Sequence, residues 1–142
     1  MSTLIDTSVL ARAAQRSHPL YQTAVDAVVD LRKQGETLCV VPQNLYELWV
    51  VCTRPVTQNG LGMTPAATLA ELSLIKSLYA LQSDNPSILV LWEQLISQYQ
   101  VRGKNAHDAR LVAAMLVHGI PQILTFNPGD FQRYQGIRVL VP

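Results

Sequence analysis

Residues 4–10 read Leu4-Ile5-Asp6-Thr7-Ser8-Val9-Leu10, an acid and two hydroxyls set between apolar pairs. Ser2 to Ile5 predict a short buried strand, and Thr7 to Ala14 the start of a helix that Asp6 is placed to cap. Past the break at Ser17-His18-Pro19, Leu20, Ala24, Ala27, Val28 and Leu31 fall at helical spacing in a helix predicted over Leu20 to Gln34, with Gly35 as its stop. Thr37 to Val41 predict a second strand. Pro42 suits the first turn of a helix over Gln43 to Thr53, which closes before Arg54-Pro55.

Residues 54 to 64 form the clearest loop, rich in Gly and long enough to move. Helical periodicity returns over Pro65 to Leu81, with a short strand around Tyr79 to Leu81 as an option at its end, and over Ser87 to Arg102. A further helix covers Ala106 to His118 and is stopped by Gly119. Gln122 to Thr125 and Ile137 to Val141 complete the strands. No repeat or linker interrupts residues 1–142, which read as a single domain. Strands alternating with helices predict an α/β fold with a parallel sheet covered on both faces. In such sheets ligands bind at the carboxyl ends of the strands, the address shared by Asp6 and the residues after Thr125.

The chain has 142 residues, 49% hydrophobic and 15% charged, enough for one substantial core. Eleven Lys and Arg against ten Asp and Glu leave no global field for nucleic acid or a membrane surface, so any such site is local. No apolar run approaches the roughly 18 residues of a membrane span, which makes the cytoplasm the expected location. Cys39 and Cys52 belong to no ligand or redox motif and read as reduced core residues.

Three further acids stand in apolar company, each with a plain structural explanation beside a functional one. Glu47 lies in NLYELWVVC, a helix that looks apolar nearly all round; a thin polar strip shared with Asn44 and Arg54 would accommodate it. Asp108 heads the stripe formed by Leu111, Val112 and Met115, or sits at N3 of a helix capped by Asn105. Asp130 follows the turn Asn127-Pro128-Gly129 and can cap a short helix over Asp130 to Tyr134. The set has a common explanation in one edge of a parallel sheet. Three carboxylates about 5 Å apart would repel by about 10 kcal/mol at an effective dielectric of 20, so protonation or hard cations must offset them. Oxygen-only ligands favour Mg²⁺ or Mn²⁺.

LIDTSVL, NLYELW, HDARLVAAMLVHGI and ILTFNPGDF, in this order and spacing, resemble a PIN domain, and most of all its VapC toxin branch. The resemblance covers nearly the whole chain. It implies a three-layer α/β/α sandwich on a central parallel sheet of four to five strands. It also implies a divalent-metal-dependent endoribonuclease, the toxin of a type II toxin–antitoxin pair. Asp6, Glu47 and Asp108 match the family's first three acids, with Asp6 and Asp108 as metal ligands for Mg²⁺, or Mn²⁺ in its place. Thr7, Ser8 and Thr125 match hydroxyl positions that orient ligands or water. The chain departs from the pattern at Asn127, where many members carry Asp; Asp130 is the candidate for the missing charge.

The implied partners are RNA, a small cognate antitoxin and a second copy of the chain. The apolar segments Leu45 to Cys52 and Leu69 to Leu81 are candidates for those surfaces, although core burial explains most of their residues. Arg12, Arg54, Arg102 and Lys104 lie near the expected rim. His107 neighbours Asp108 but points about 100° away on a helix, and His18 and His118 sit at a helix start and end. A haloacid-dehalogenase type phosphohydrolase would want a second Asp where Ser8 stands, and a receiver domain would want paired acids at the first strand. The remaining alternative is a catalytically degenerate PIN-like module that binds RNA or protein.

Overall fold

Side-chain alternation along the first two strands decides the layering in the computed structural model, which describes residues 1–142. In β1 (Ser2–Ile5) and β2 (Thr37–Val40), Leu4 and Cys39 enter one core while Ile5, Leu38 and Val40 enter the other. Successive side chains of a strand face opposite ways, so both faces of this sheet are covered. On one face lie α1 (Thr7–Ala13), α2 (Tyr21–Lys33), α3 (Pro42–Thr53) and α4 (Pro65–Leu78), which give Val9, Leu10, Val28, Leu48 and Ile75 to that core. The other face is covered by α5 (Pro86–Gln98) and α6 (Asn105–His118), through Ile88, Leu95, Leu111, Val112 and Met115.

The sheet is completed by β3 (Ala80–Leu81), β4 (Gln122–Leu124) and β5 (Arg138–Leu140), in the order β3-β2-β1-β4-β5 with every pairing parallel. The chain builds outward from β1 through β2 to β3, then crosses back to lay β4 on the opposite side of β1. That reversal places a crevice at the carboxyl ends of β1 and β4. Asp6, the residue after β1, donates its backbone N–H to Leu124 O at 3.0 Å, and Thr125 donates to Leu140 O at 2.9 Å.

Several expected elements are corrected. The helix predicted to Leu81 ends at Leu78 and yields to β3, the short strand offered as an option there, and the helix predicted to Arg102 ends at Gln98. Gln100 adopts a left-handed φ of 49°, which turns the chain back so that Val101 N–H reaches Ile96 O. The helix expected over Asp130 to Tyr134 is instead a 3-10 turn at Pro128–Asp130, followed by the buried Phe131 and Tyr134. Residues 54 to 64 are not a free loop. Leu61 and Met63 donate to Val51 O and Cys52 O, which pins the segment along the end of α3.

Core burial also explains less of the apolar segments than their composition implies. Tyr46 is 65% and Val50 54% exposed, and Leu69, Leu74, Leu78 and Leu81 are exposed as well. At 3.6 residues per turn Leu48 and Cys52 of α3, and Ile75 of α4, are the hydrophobic side chains fully buried in the core, with Leu45, Val51 and Leu72 packed partly exposed against it, so α3 is not apolar-buried all round and Glu47 sits at its half-buried edge. No helix is long and apolar enough to cross a membrane.

Candidate active site

The crevice is a cleft of about 490 Å³. Asp6, Thr7 and Ser8 enter it from the β1–α1 junction, Glu47 from α3, Asp108 from the first turn of α6, and Asn127 and Asp130 from the turn after β4. The outer wall is Arg12, Gln15 and His18 on one side and the pinned segment with Arg54, Val56 and Asn59 on the other. Arg102 and Lys104 do not line it.

Asp6 stands at the N-cap position of α1, but its side chain makes no capping hydrogen bond. Its Oδ2 accepts from Ser8 Oγ and from Thr125 Oγ1, both at 2.7 Å. The direction of these bonds follows from the backbone. Phe126 N–H donates to Ser8 Oγ at 3.1 Å and Asn127 N–H to Thr125 Oγ1 at 2.9 Å, so each hydroxyl turns its own proton toward the carboxylate. The start of α1 and the exit of β4 thus hold one buried carboxylate between them.

Glu47 is held at both oxygens. Oε1 accepts from Thr7 Oγ1 at 2.9 Å and Oε2 from Gln43 Nε2 at 3.3 Å. Burial pushes its carboxyl up, the Thr7 and Gln43 bonds pull it back, and the Asp6 charge adds to the rise. Behind it the fully buried Asn44 accepts from Val41 N–H at 2.9 Å and donates to Thr7 Oγ1 at 3.3 Å. Asn44 therefore closes the first turn of α3 and supports the residue that orients Glu47.

Asp108 is not part of a cap. Lys104, rather than Asn105, occupies the N-cap position of α6 and makes no side-chain bond there. Trp92 of α5 instead fixes the turn, donating from Nε1 to Ala106 O at 2.8 Å. The Asp108 carboxyl is raised from 3.8 to about 7, first by burial and then by Asp130, Asp6 and Glu47, with Arg133 opposing. Asp130 is thus its foremost charged neighbour. Asn127 lines the same cleft and brings no charge.

No three of these acids stand together as a ready metal-holding group. Their donor set still fits a hard cation. It consists of carboxylate oxygens only, and the like charges raising Asp108 are what a bound cation relieves. Gln43, Asn44, Gln15 and Arg133 are additions to the site that sequence reasoning missed. The first two had a signal: Gln43 precedes Glu47 by one helical turn and Asn44 sits at N3.

Solved structures share this architecture end to end. The chain of VapBC-1 from nontypeable Haemophilus influenzae matches at a TM-score of 0.74, with 12% identity over 99% of this chain and 98% of that one. VapBC2 from Rickettsia felis, solved bound to a DNA fragment from its promoter, matches at 0.73 with 12% identity, over 100% and 99%. The chain has a PIN-like fold. VapC20 from Mycobacterium tuberculosis, a toxin that cleaves the sarcin-ricin loop, matches at 0.61 with 17% identity over 85% and 86%. No family model matches the PIN-like chain, and no curated protein matches it in sequence. At these identities the likeness lies in the fold, and the chemistry of the cleft must be argued from its own residues.

Proposed function

We propose that the protein is a divalent-metal-dependent endoribonuclease that hydrolyses RNA phosphodiester bonds, the toxin of a toxin–antitoxin pair. The single observation that carries this reading is the convergence of Asp6, Glu47, Asp108 and Asp130 on one cleft, with Asp108 raised to about 7. Asp6 and Asp108, with Glu47 and Asp130 beside them, would hold Mg²⁺ or Mn²⁺, which when bound would supply Lewis-acid activation of water and neutralise charge on the phosphate.

The chain's own residues do the rest. Ser8 and Thr125 fix one Asp6 oxygen and leave Oδ1 without a protein hydrogen bond. Thr7 holds Glu47 upright toward the cleft. Arg12 and Arg54 supply positive charge on the outer wall, suited to phosphates flanking the scissile bond. Gln15 Oε1 and Arg54 Nε are buried in that wall without a protein partner.

Purified protein is incubated with structured RNAs and Mn²⁺ beside Asp6→Asn and Asp108→Asn variants. Cleavage by the parent alone supports the reading. Equal cleavage by all three sinks the metal site, and cleavage by none favours a degenerate RNA- or protein-binding module, which Asn127 makes the specific rival.

The same reading assigns two protein partners. An apolar groove of about 190 Å³ between α2 and α4, bordered by Val29, Leu74 and Leu78, suits the apolar face of an antitoxin helix. Exposed Tyr46 and Val50 of α3, with Leu89 and Val90 of α5, suit a second copy of the chain. A small reading frame beside the gene whose product co-purifies, and sedimentation of the protein alone, test the two separately.

A further inference from the structure

Gln43 is 6% exposed and engages both amide protons and its carbonyl oxygen, so its hold on Glu47 is one of three bonds. Its Nε2 donates to His107 O at 2.7 Å and to Glu47 Oε2 at 3.3 Å, and its Oε1 accepts from Arg110 Nη1 at 3.0 Å. The amide can sit only one way round. A guanidinium has no acceptor, so the atom facing Arg110 is the carbonyl, and the NH₂ must face the His107 carbonyl and the Glu47 carboxylate.

Two consequences follow from who carries these groups. Glu47 and Gln43 belong to α3, whereas His107 and Arg110 belong to α6, the helix of Asp108. One buried amide therefore ties the two acid-bearing helices together beside their acids. Arg110 is meanwhile engaged elsewhere: its Nη2 lies 3.2 Å from Asp84 Oδ2. A guanidinium placed directly on Glu47 would cancel the charge that a cation needs; the intervening amide passes on orientation without that charge.

We propose that Gln43 is a positioning residue, whose buried amide sets Glu47 relative to Asp108 across the α3–α6 contact and insulates Glu47 from Arg110. The proposal rests on the metal-dependent reading of the cleft and concerns affinity for the cation before any RNA is present.

Calorimetric titration of the full chain with Mn²⁺ tests it in a cycle of Gln43→Leu, Glu47→Gln and the double variant. Gln43→Leu is expected to weaken Mn²⁺ binding about tenfold, as loss of an outer-shell partner does. On the Glu47→Gln background the same change is expected to cost less than about twofold, because the residue acts through Glu47. In RNA cleavage the single variant lowers kcat and leaves KM unchanged. Arg110→Lys, which keeps a donor, retains more affinity than Arg110→Met.

Mn²⁺ binding by Gln43→Leu equal to the parent's overturns the proposal, as does a loss on the Glu47→Gln background as large as that measured with Glu47 intact. A lower melting temperature with unchanged affinity would assign Gln43 a packing role and likewise overturn it. Cleavage by Asp6→Asn equal to that of the parent refutes the nuclease reading instead, and the calorimetric cycle still decides the role of Gln43.

Discussion

Replacing Asp108 by Asn is expected to stabilise the cation-free protein while abolishing its activity. The folded state raises this carboxyl from 3.8 to about 7, so it holds the proton that the unfolded chain releases first. Stability is therefore lost as pH rises from about 3.8 to about 7 and stays low above that. A difference of about 3 in pKa corresponds to about 4 kcal/mol at 1.36 kcal/mol per unit. Asp108 is only half-buried, and solvent screening reduces this to about 2 kcal/mol. For a chain of this size that is a rise of about 6 °C in Tm. Thermal melts in chelator at pH 4 and pH 8 measure it: Asp108→Asn should melt close to the parent at pH 4 and well above it at pH 8. Saturating Mg²⁺ should then raise the parent and narrow the gap, since a ligand of the native state stabilises by mass action. Equal melts at pH 8, or a gap as large at pH 4, would refute the electrostatic account of the site.

Three other perturbations probe parts of the same cleft. Thr125→Val removes one bond to Asp6 and leaves the Asn127 N–H without its acceptor; a loss of about 1–2 kcal/mol is expected in urea unfolding, with reduced kcat that Thr125→Ser largely restores. Arg54→Met should flatten the salt dependence of RNA binding by about one charge, measured by fluorescence anisotropy across ionic strength, with little effect on Mn²⁺ affinity. A Cβ at Gly60 would overlap the Arg54 carbonyl, so Gly60→Ala must shift the segment that walls the cleft. A cost of about 1–3 kcal/mol and a raised KM for RNA are the expected readouts.

The order of elements was legible in the sequence because each unit carries a local signal. Leu4-Ile5 and Leu38 to Val41 are apolar runs of the kind a doubly covered parallel strand needs, and Gly35 and Gly119 stop helices where expected. The misses have local causes too. The short strand offered around Tyr79 to Leu81 is β3, whose two residues are too few for a period to choose it over a longer helix, and the end of α5 is set by one left-handed Gln100 that no residue type announces. The exposure of Tyr46 and Val50 was hidden because composition does not say which side of α3 faces the sheet.

For the site, the sequence by itself put Asp6, Glu47, Asp108 and Asp130 at strand ends and helix turns, and left each with a capping or surface explanation. Those explanations turn on where the carboxylates point. The Asp6 carboxylate is shared between Ser8 of its own helix and Thr125, 119 positions later, and the second contact exists only because β4 lies beside β1. Periodicity and capping act within a turn or two of chain, so they determine the elements. Strand order, the hydroxyl relay on Asp6 and the Gln43 tie between α3 and α6 arise from packing between distant segments, and only the tertiary structure decides them.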